Sequence, residues 1–199
     1  MGAPLKPEMN PIVGIGEVLW DVYPDGRKVA GGAPFNFAFH CHQLGHSAVI
    51  VSRVGDDDLG RALRARVCEL GLSDEYIQTD PDHPTGTVQV TLDANAVPAY
   101  TIAENVAWDW IEWDEKLAEL AERARGVCFG TLGQRGESSD AIVQMVQKAR
   151  GGGAGAYRIL DVNLRQHFYT PDLLRRSLWR APAVKVSAEE LETVCTVLS

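Results

Sequence analysis

The chain has 199 residues, 45% of them hydrophobic, and a formal net charge of -8 at pH 7. That length and content allow one sizeable buried core and one domain rather than two. The acidic balance, with a pI near 5.1, excludes nonspecific attraction to nucleic acid or to an anionic membrane, because neither polyanion gains from meeting an acidic surface. Near the N-terminus Lys6 and Glu8 stand among prolines without an apolar h-region, and no run is long enough to span a bilayer, so a cytoplasmic location is the expectation.

Residues 11 to 16 (Pro-Ile-Val-Gly-Ile-Gly) form a short apolar run bounded by glycine, the pattern of a strand buried on both faces. Residues 18 to 23 and 27 to 30 flank Pro24-Asp25-Gly26 and read as a hairpin. Next comes Ala30-Gly31-Gly32-Ala33-Pro34-Phe35-Asn36-Phe37-Ala38, two glycines running into a proline and an apolar helix with one polar side chain. Paired glycines leave backbone N–H groups unshielded and allow positive φ. Pro34 suits the start of a helix, and Asn36 places a side chain that both donates and accepts beside the free helix N-terminus. Such a mixture suits sugar hydroxyls, although taken alone the stretch also reads as a tight strand-to-helix turn with Asn36 as a local cap.

The spacing predicts a helix over residues 33 to 44, a strand over 48 to 51 and an amphipathic helix over 57 to 70, closed by Gly71. Asp56, Asp57 and Asp58 are read as helix-start carboxylates rather than a divalent metal site. His42 and His46 have i, i+4 spacing, but Gly45 ends the helix before that spacing acts, so no zinc site is assigned to them with His40. A strand near Tyr76-Ile77 leads into the turn-rich Pro81-Asp82-His83-Pro84. Residues 85 to 93 alternate, with Val88, Val90 and Leu92 on one face, and residues 99 to 102 answer them across 95 to 98. This antiparallel hairpin interrupts a β and α alternation, and pairs economically with the earlier hairpin as a small separate sheet.

Trp108, Trp110 and Trp113 precede a helix over 114 to 125 and read as core or hinge packing, since no basic residues interleave them to bind nucleic acid. Strands follow over 127 to 130, 157 to 162 and 183 to 186, with helices over 138 to 150, 172 to 179 and 187 to 198. The alternation implies a parallel sheet with helices on both faces and a ligand beyond its C-terminal strand ends. Asp21, Asn163, Arg165 and Ser187 fall just past predicted strand ends. Gly151-Gly152-Gly153-Ala154-Gly155 follows a helix and precedes a strand, the reverse of a phosphate loop, and reads as a flexible connection. Cys41, Cys68, Cys128 and Cys195 lie far apart among apolar neighbours and read as buried free thiols.

Several of these stretches, taken in order, resemble the ribokinase-like (PfkB) carbohydrate kinases. They are Gly14-Ile15-Gly16-Glu17-Val18-Leu19-Trp20-Asp21, the Gly31-Gly32 turn, Leu44-Gly45, Val54-Gly55-Asp56-Asp57-Asp58-Leu59-Gly60, Asp161-Val162-Asn163-Leu164-Arg165 and Val184-Lys185-Val186-Ser187-Ala188-Glu189-Glu190-Leu191. The first and fifth of these, with Phe129-Gly130-Thr131-Leu132, are most similar to fructokinases. The resemblance implies an α/β fold: a three-layer α/β/α ribokinase-like domain over residues 1 to 199, C-terminally incomplete, with a mainly parallel central sheet. Segments of about 17 to 30 and 86 to 103 would form its small β-sheet lid.

It further implies ATP-dependent phosphorylation of a sugar hydroxyl with Mg²⁺, a small-molecule sugar as partner, and a substrate site of Asp21, Gly31, Gly32 and Asn36. Arg165 is expected to touch substrate or phosphate, with an exposed ion pair as its other reading. Glu190 falls where the family's Asn-x-x-Glu motif serves the phosphates and Mg²⁺, but Ser187 replaces the asparagine. The family's Gly-Ala-Gly-Asp motif, which supplies the anion hole and catalytic base, does not occur; Gly153-Ala154-Gly155-Ala156 lacks the carboxylate. The chain is therefore expected to hold the sugar site without catalytic residues of its own. The competing expectation is a catalytically inactive sugar-binding or interaction fragment. Assembly is expected as a homodimer through the lid or as self-association through the strand edge left exposed.

Overall fold

The computed structural model describes residues 10–92, 98–153 and 155–198. The middle of the turn expected at 95 to 98, Ala154 of the glycine-rich stretch, and Lys6 and Glu8 lie outside the described residues. Six strands form a parallel sheet: β1 (Ile12–Ile15), β4 (Ala48–Gly55), β5 (Ile77–Asp80), β8 (Gly126–Gly130), β9 (Tyr157–Asp161) and β10 (Ala183–Lys185), in the order β10-β9-β8-β1-β4-β5. The central strands bury both faces, which is why residues 12 to 15, 48 to 51 and 126 to 130 read as unbroken apolar runs.

Helices cover both faces. α1 (Ala33–Gln43) and α2 (Asp58–Glu69) pack Phe35, Ala38, Leu63 and Val67 against Ala48, Ile50 and Val54. On the opposite face α3 (Glu115–Arg123), α4 (Ser138–Lys148), α5 (Pro171–Arg180) and α6 (Ala188–Leu198) pack against Val49, Val51, Val127, Phe129 and Leu160. The alternation of β4 between the two cores is the period of two expected for a strand. The three-layer α/β/α arrangement follows.

A second, four-stranded sheet stands apart: β2 (Leu19–Val22), β3 (Lys28–Gly31), β6 (Thr87–Leu92) and β7 (Pro98–Ile102), in the order β3-β2-β6-β7. The two hairpins are antiparallel and meet through a parallel β2–β6 pairing, Asp21 opposite Val88. Leu19, Val88 and Ile102 pack with Trp108, Leu132 and Phe168 beneath this sheet. Trp108 is buried in that core and Trp110 stacks on His83 at 4.4 Å, the packing role expected of the tryptophan cluster.

Three details differ from the sequence reading. Asp21 lies inside β2 of the second sheet rather than just past a strand end, and β1 ends at Ile15. The chain breaks at Gly16, whose φ of 139° no β-strand of the main sheet would hold. β4 runs four residues beyond 51, because Arg53 is neutralised within it by Asp80 at 2.9 Å and by Glu112 at 2.7 Å, so the polar letters conceal a buried strand. Only Cys128 is a buried thiol; Cys41 and Cys68 are half-buried, and Cys195 is exposed, roughly 100° round α6 from buried Val194.

Candidate functional site

A cavity of about 850 Å³ opens between the small sheet and the C-terminal ends of the parallel strands. β2, β6 and β7 contribute Leu19, Asp21, Val88, Tyr100 and Ile102; α1 contributes Asn36 and His40; the strand ends contribute Glu17, Asp161, Asn163, Arg165 and Lys185. Every sequence-predicted substrate residue except Gly31 lines this space, and Gly31 lies close against the Asp21 carboxylate.

Contact explains the two glycines. A Cβ on Gly31 would fall 2.6 Å from Asp21 Oδ2, so any side chain there would displace the carboxylate. Gly32 has φ of 117°, and a Cβ on it would fall 2.3 Å from the Glu17 carbonyl oxygen. The turn therefore brings bare backbone against two carboxyl-bearing residues and then enters α1. Burial raises the Asp21 carboxyl above its ordinary value, and the Arg165 guanidinium partly offsets this. Asn36 follows with its N–H donating to Gly32 O at 2.9 Å and its side chain exposed to the cavity.

The acceptor at the start of α1 comes from elsewhere. Gly32 has no side chain to cap the helix, and Asn36 does not cap it; Glu17 Oε1 accepts from the Ala33 N–H at 3.0 Å. Glu17 is 1% exposed. Burial pushes its carboxyl up to about 7, against the backbone N–H groups of Glu17 and Ala33, with Asp161 adding to the rise and Arg165 opposing it. The sequence reading passed over this residue, whose signal is a lone acid inside the apolar run of residues 12 to 19.

Asp161 and Lys185, also passed over as site residues, form an ion pair with Nζ 2.8 and 3.0 Å from the two carboxylate oxygens. They are register partners at the ends of β9 and β10. Between them runs a loop with left-handed Asn163 (φ 42°) and Gln166 (φ 46°). Gln166 Nε2 donates to Tyr100 O at 2.8 Å and ties this loop to β7 across the cavity. Arg165 is exposed, with Nη1 donating to Leu164 O at 2.9 Å. It lines the cavity near Asp21, Glu17 and Glu190, whose charges it offsets.

Glu190 is not directed into the cavity. Its Oε1 accepts from the Leu164 N–H at 2.8 Å and its Oε2 from the Ser187 N–H at 2.9 Å. Burial works against its charge, but those two donors and the Ser187 hydroxyl outweigh it and hold the carboxyl below its ordinary value. His46 Nδ1 meets Arg125 Nη2 at 2.9 Å, and α1 stops at Gln43, so the His42–His46 spacing is never helical.

A parallel sheet flanked by helices, with a polar cavity at its strand ends roofed by a small second sheet, defines a ribokinase-like α/β architecture. Residues 21–199 match the model of the pfkB family carbohydrate kinases, and the chain belongs to that family. It is 30% identical to the fructokinase of Klebsiella pneumoniae over 89% of this chain and 60% of that protein. It is 31% identical to fructokinase-1 of Zea mays over 91% of this chain and 61% of that one. Among solved structures, an uncharacterized sugar kinase of Pyrococcus horikoshii superposes with TM-score 0.78 at 28% identity, covering 93% of this chain and 65% of its own. The fructokinase of Xylella fastidiosa with bound ATP shares the fold at TM-score 0.79 and 22% identity, covering 95% of this chain and 61% of its own. The chain thus spans about 60% of the length of the curated relatives it matches. Among the described residues no helix is long and apolar enough to cross a membrane.

Proposed function

We propose that this chain carries the sugar site of a fructokinase-like kinase, an enzyme that phosphorylates a sugar hydroxyl from ATP. One observation supports this reading above the others: the Asp21 carboxylate lies close against Gly31, and it shares one cavity with Gly32 and Asn36. A carboxylate accepts from vicinal hydroxyls, free N–H groups donate, and an amide does both, so the set discriminates a polyol from an apolar ligand. Phosphoryl transfer also needs a base, Mg²⁺ and donors for the transferring charge. Arg165, exposed on the cavity, suits a phosphate oxygen or substrate contact. Glu190 has each carboxylate oxygen engaged by one backbone donor and keeps lone pairs for water near Mg²⁺.

No residue of the cavity is assigned as the base. Asp161 is held by Lys185 and Glu17 by Ala33. General-base catalysis contributes ~10²–10⁴-fold and an anion-hole donor on the order of 10²–10³, so the chain by itself is expected to bind sugar without useful turnover. In the complete kinase the same site would serve catalysis; the alternative is an inactive sugar-binding or interaction fragment. The β10 edge, where all three residues are exposed, and Trp179, 87% exposed on α5, suit self-association; the small sheet is the other proposed dimer surface.

The test is a coupled ADP-release assay with the purified chain, Mg-ATP and a panel of ketoses. Sugar-dependent release far below that of intact sugar kinases is the expected result. Turnover at their level, abolished by Asp21→Ala, would show that the catalytic machinery has been misplaced.

A further inference from the structure

Glu17 spends a buried charge where a smaller group would suffice. Its Oε1 accepts from the Ala33 N–H at 3.0 Å, while Oε2 is buried with no hydrogen-bond partner among the described residues. A lone buried carboxylate oxygen costs free energy, and a Ser or Asn beside the helix would have capped it without that cost. The Glu17 main chain is equally committed, since its carbonyl oxygen stands where a Gly32 Cβ would be. Glu17 therefore meets the glycine turn twice, by close approach of its carbonyl at Gly32 and by the side-chain bond to Ala33, and the side chain borders the same cavity as Asp21 and Asn36.

We propose that Glu17 is a positioning residue for sugar recognition: by holding the Ala33 N–H it fixes the Gly31-Gly32 turn and the first turn of α1 at the distance from Asp21 that a polyol requires. The inference rests on the sugar-site reading above. The carboxylate form accepts a charge-assisted bond, stronger than the acid's, and complements the helix N-terminus. Burial places its titration near pH 7. The other titratable or charged groups around it are Asp21 on β2, His40 and Cys41 on α1, Cys128 on β8, Asp161 on β9, Arg165 in the following loop and Lys185 on β10. Sugar affinity is therefore highest above pH 7 and falls about fivefold toward pH 6 as the hold on Ala33 weakens.

The experiment is calorimetric titration of the chain with fructose between pH 6 and 8.5, with the Ala33 amide signal followed by NMR over the same range. Parent, Glu17→Gln, Asp21→Ala and His40→Gln are compared. Glu17→Gln keeps the acceptor and the shape but not the charge, so its affinity should stay at the parent's pH 6 level throughout and its Ala33 amide should lose the titration. His40→Gln should keep the parent's pH dependence, which removes the His40 side chain as its source. Identical pH profiles for parent and Glu17→Gln, with binding still lost in Asp21→Ala, overturn the inference and leave the sugar site standing. No fructose binding by the parent at any pH, with the Ala33 amide still titrating, overturns the sugar-site reading and this inference with it.

Discussion

Glu190 joins two parts of the site that the sequence keeps 26 residues apart: its Oε1 accepts from the Leu164 N–H at 2.8 Å, so the start of α6 anchors the loop that carries Asn163 and Arg165. Ser187 Oγ accepts from the Glu190 N–H at 3.2 Å while Oε2 accepts from the Ser187 N–H at 2.9 Å, a reciprocal capping box. Two variants separate the roles. Ser187→Ala should cost roughly 1 kcal/mol as a lost cap and leave sugar affinity unchanged. Glu190→Ala should cost about the same in stability and also weaken fructose binding, because Leu164 loses its acceptor. Thermal melts and calorimetry check both; equal sugar affinities for the two variants would show that the loop does not depend on Glu190.

The pH dependence of stability follows from Glu17. Its carboxyl ionises near 4.5 in the unfolded chain and near 7 in the folded one, so between those values the folded state binds more protons and stability falls as pH rises. The penalty is complete above pH 7 and on the order of 3 kcal/mol. Glu17→Gln should melt higher than the parent at pH 8 and no higher at pH 4. A variant that is more stable yet binds sugar more weakly is the expected signature of a residue strained for function. Unchanged or lower melting of Glu17→Gln at pH 8 would contradict the burial of a charged form.

Arg135 and Asp109 form a buried pair, each 7% exposed, with Nε to Oδ1 at 2.8 Å and Nη2 to Oδ2 at 2.9 Å. The guanidinium also lies 4.0 Å from the Trp108 ring and 4.5 Å from that of Phe168, under the small sheet. Removing one partner strands the other charge, so Asp109→Ala should destabilise by about 3–5 kcal/mol. The double variant Asp109→Leu with Arg135→Met should recover much of that loss. Denaturant melts measure it, and additive losses in the double variant would contradict the pairing.

Asp57 predicts an acid limb. It caps α2 by accepting from the Gly60 N–H at 2.7 Å, and it accepts from both the Thr85 N–H at 2.8 Å and the Thr85 hydroxyl at 2.7 Å. Partial burial opposes its charge, but the Thr85 and Gly60 bonds prevail and hold the carboxyl below its ordinary value. Its contribution is present above the unfolded carboxylate range and lost as pH falls through the folded value. Asp57→Ala should therefore destabilise by roughly 1–2 kcal/mol at pH 7 and by less at pH 3. An equal loss at both values would show that the carboxylate form carries none of it.

The sequence made some of this site legible and concealed the rest for physical reasons. Asp21, Gly31, Gly32 and Asn36 are gathered by one hairpin and one turn, so their proximity is nearly local, and the Gly-Gly-x-Pro spacing announces it. Asp161 and Lys185 meet through the register of two parallel strands whose connection is a whole helix, and no local pattern encodes that. The Gln166–Tyr100 bond depends on left-handed backbone at Asn163 and Gln166, which periodicity cannot express. Glu17 was readable, since an acid between Ile15 and Val18 in a buried run needs a partner, and so was the Ser187-x-x-Glu190 box. Alternation and turn residues identified the layers and the second sheet, and Gly16 already marked the break between β1 and β2.

Calorimetric titration of fructose into the parent chain and into Asp21→Ala at pH 8 tests the sugar site most directly. The account predicts weak, saturable heat for the parent, since an incompletely enclosed site orders few contacts, and none for Asp21→Ala when both melt at the same temperature. Equal heats for parent and variant at sub-saturating sugar would contradict it, because a polyol that ignores Asp21 is not bound over the Gly31-Gly32 turn.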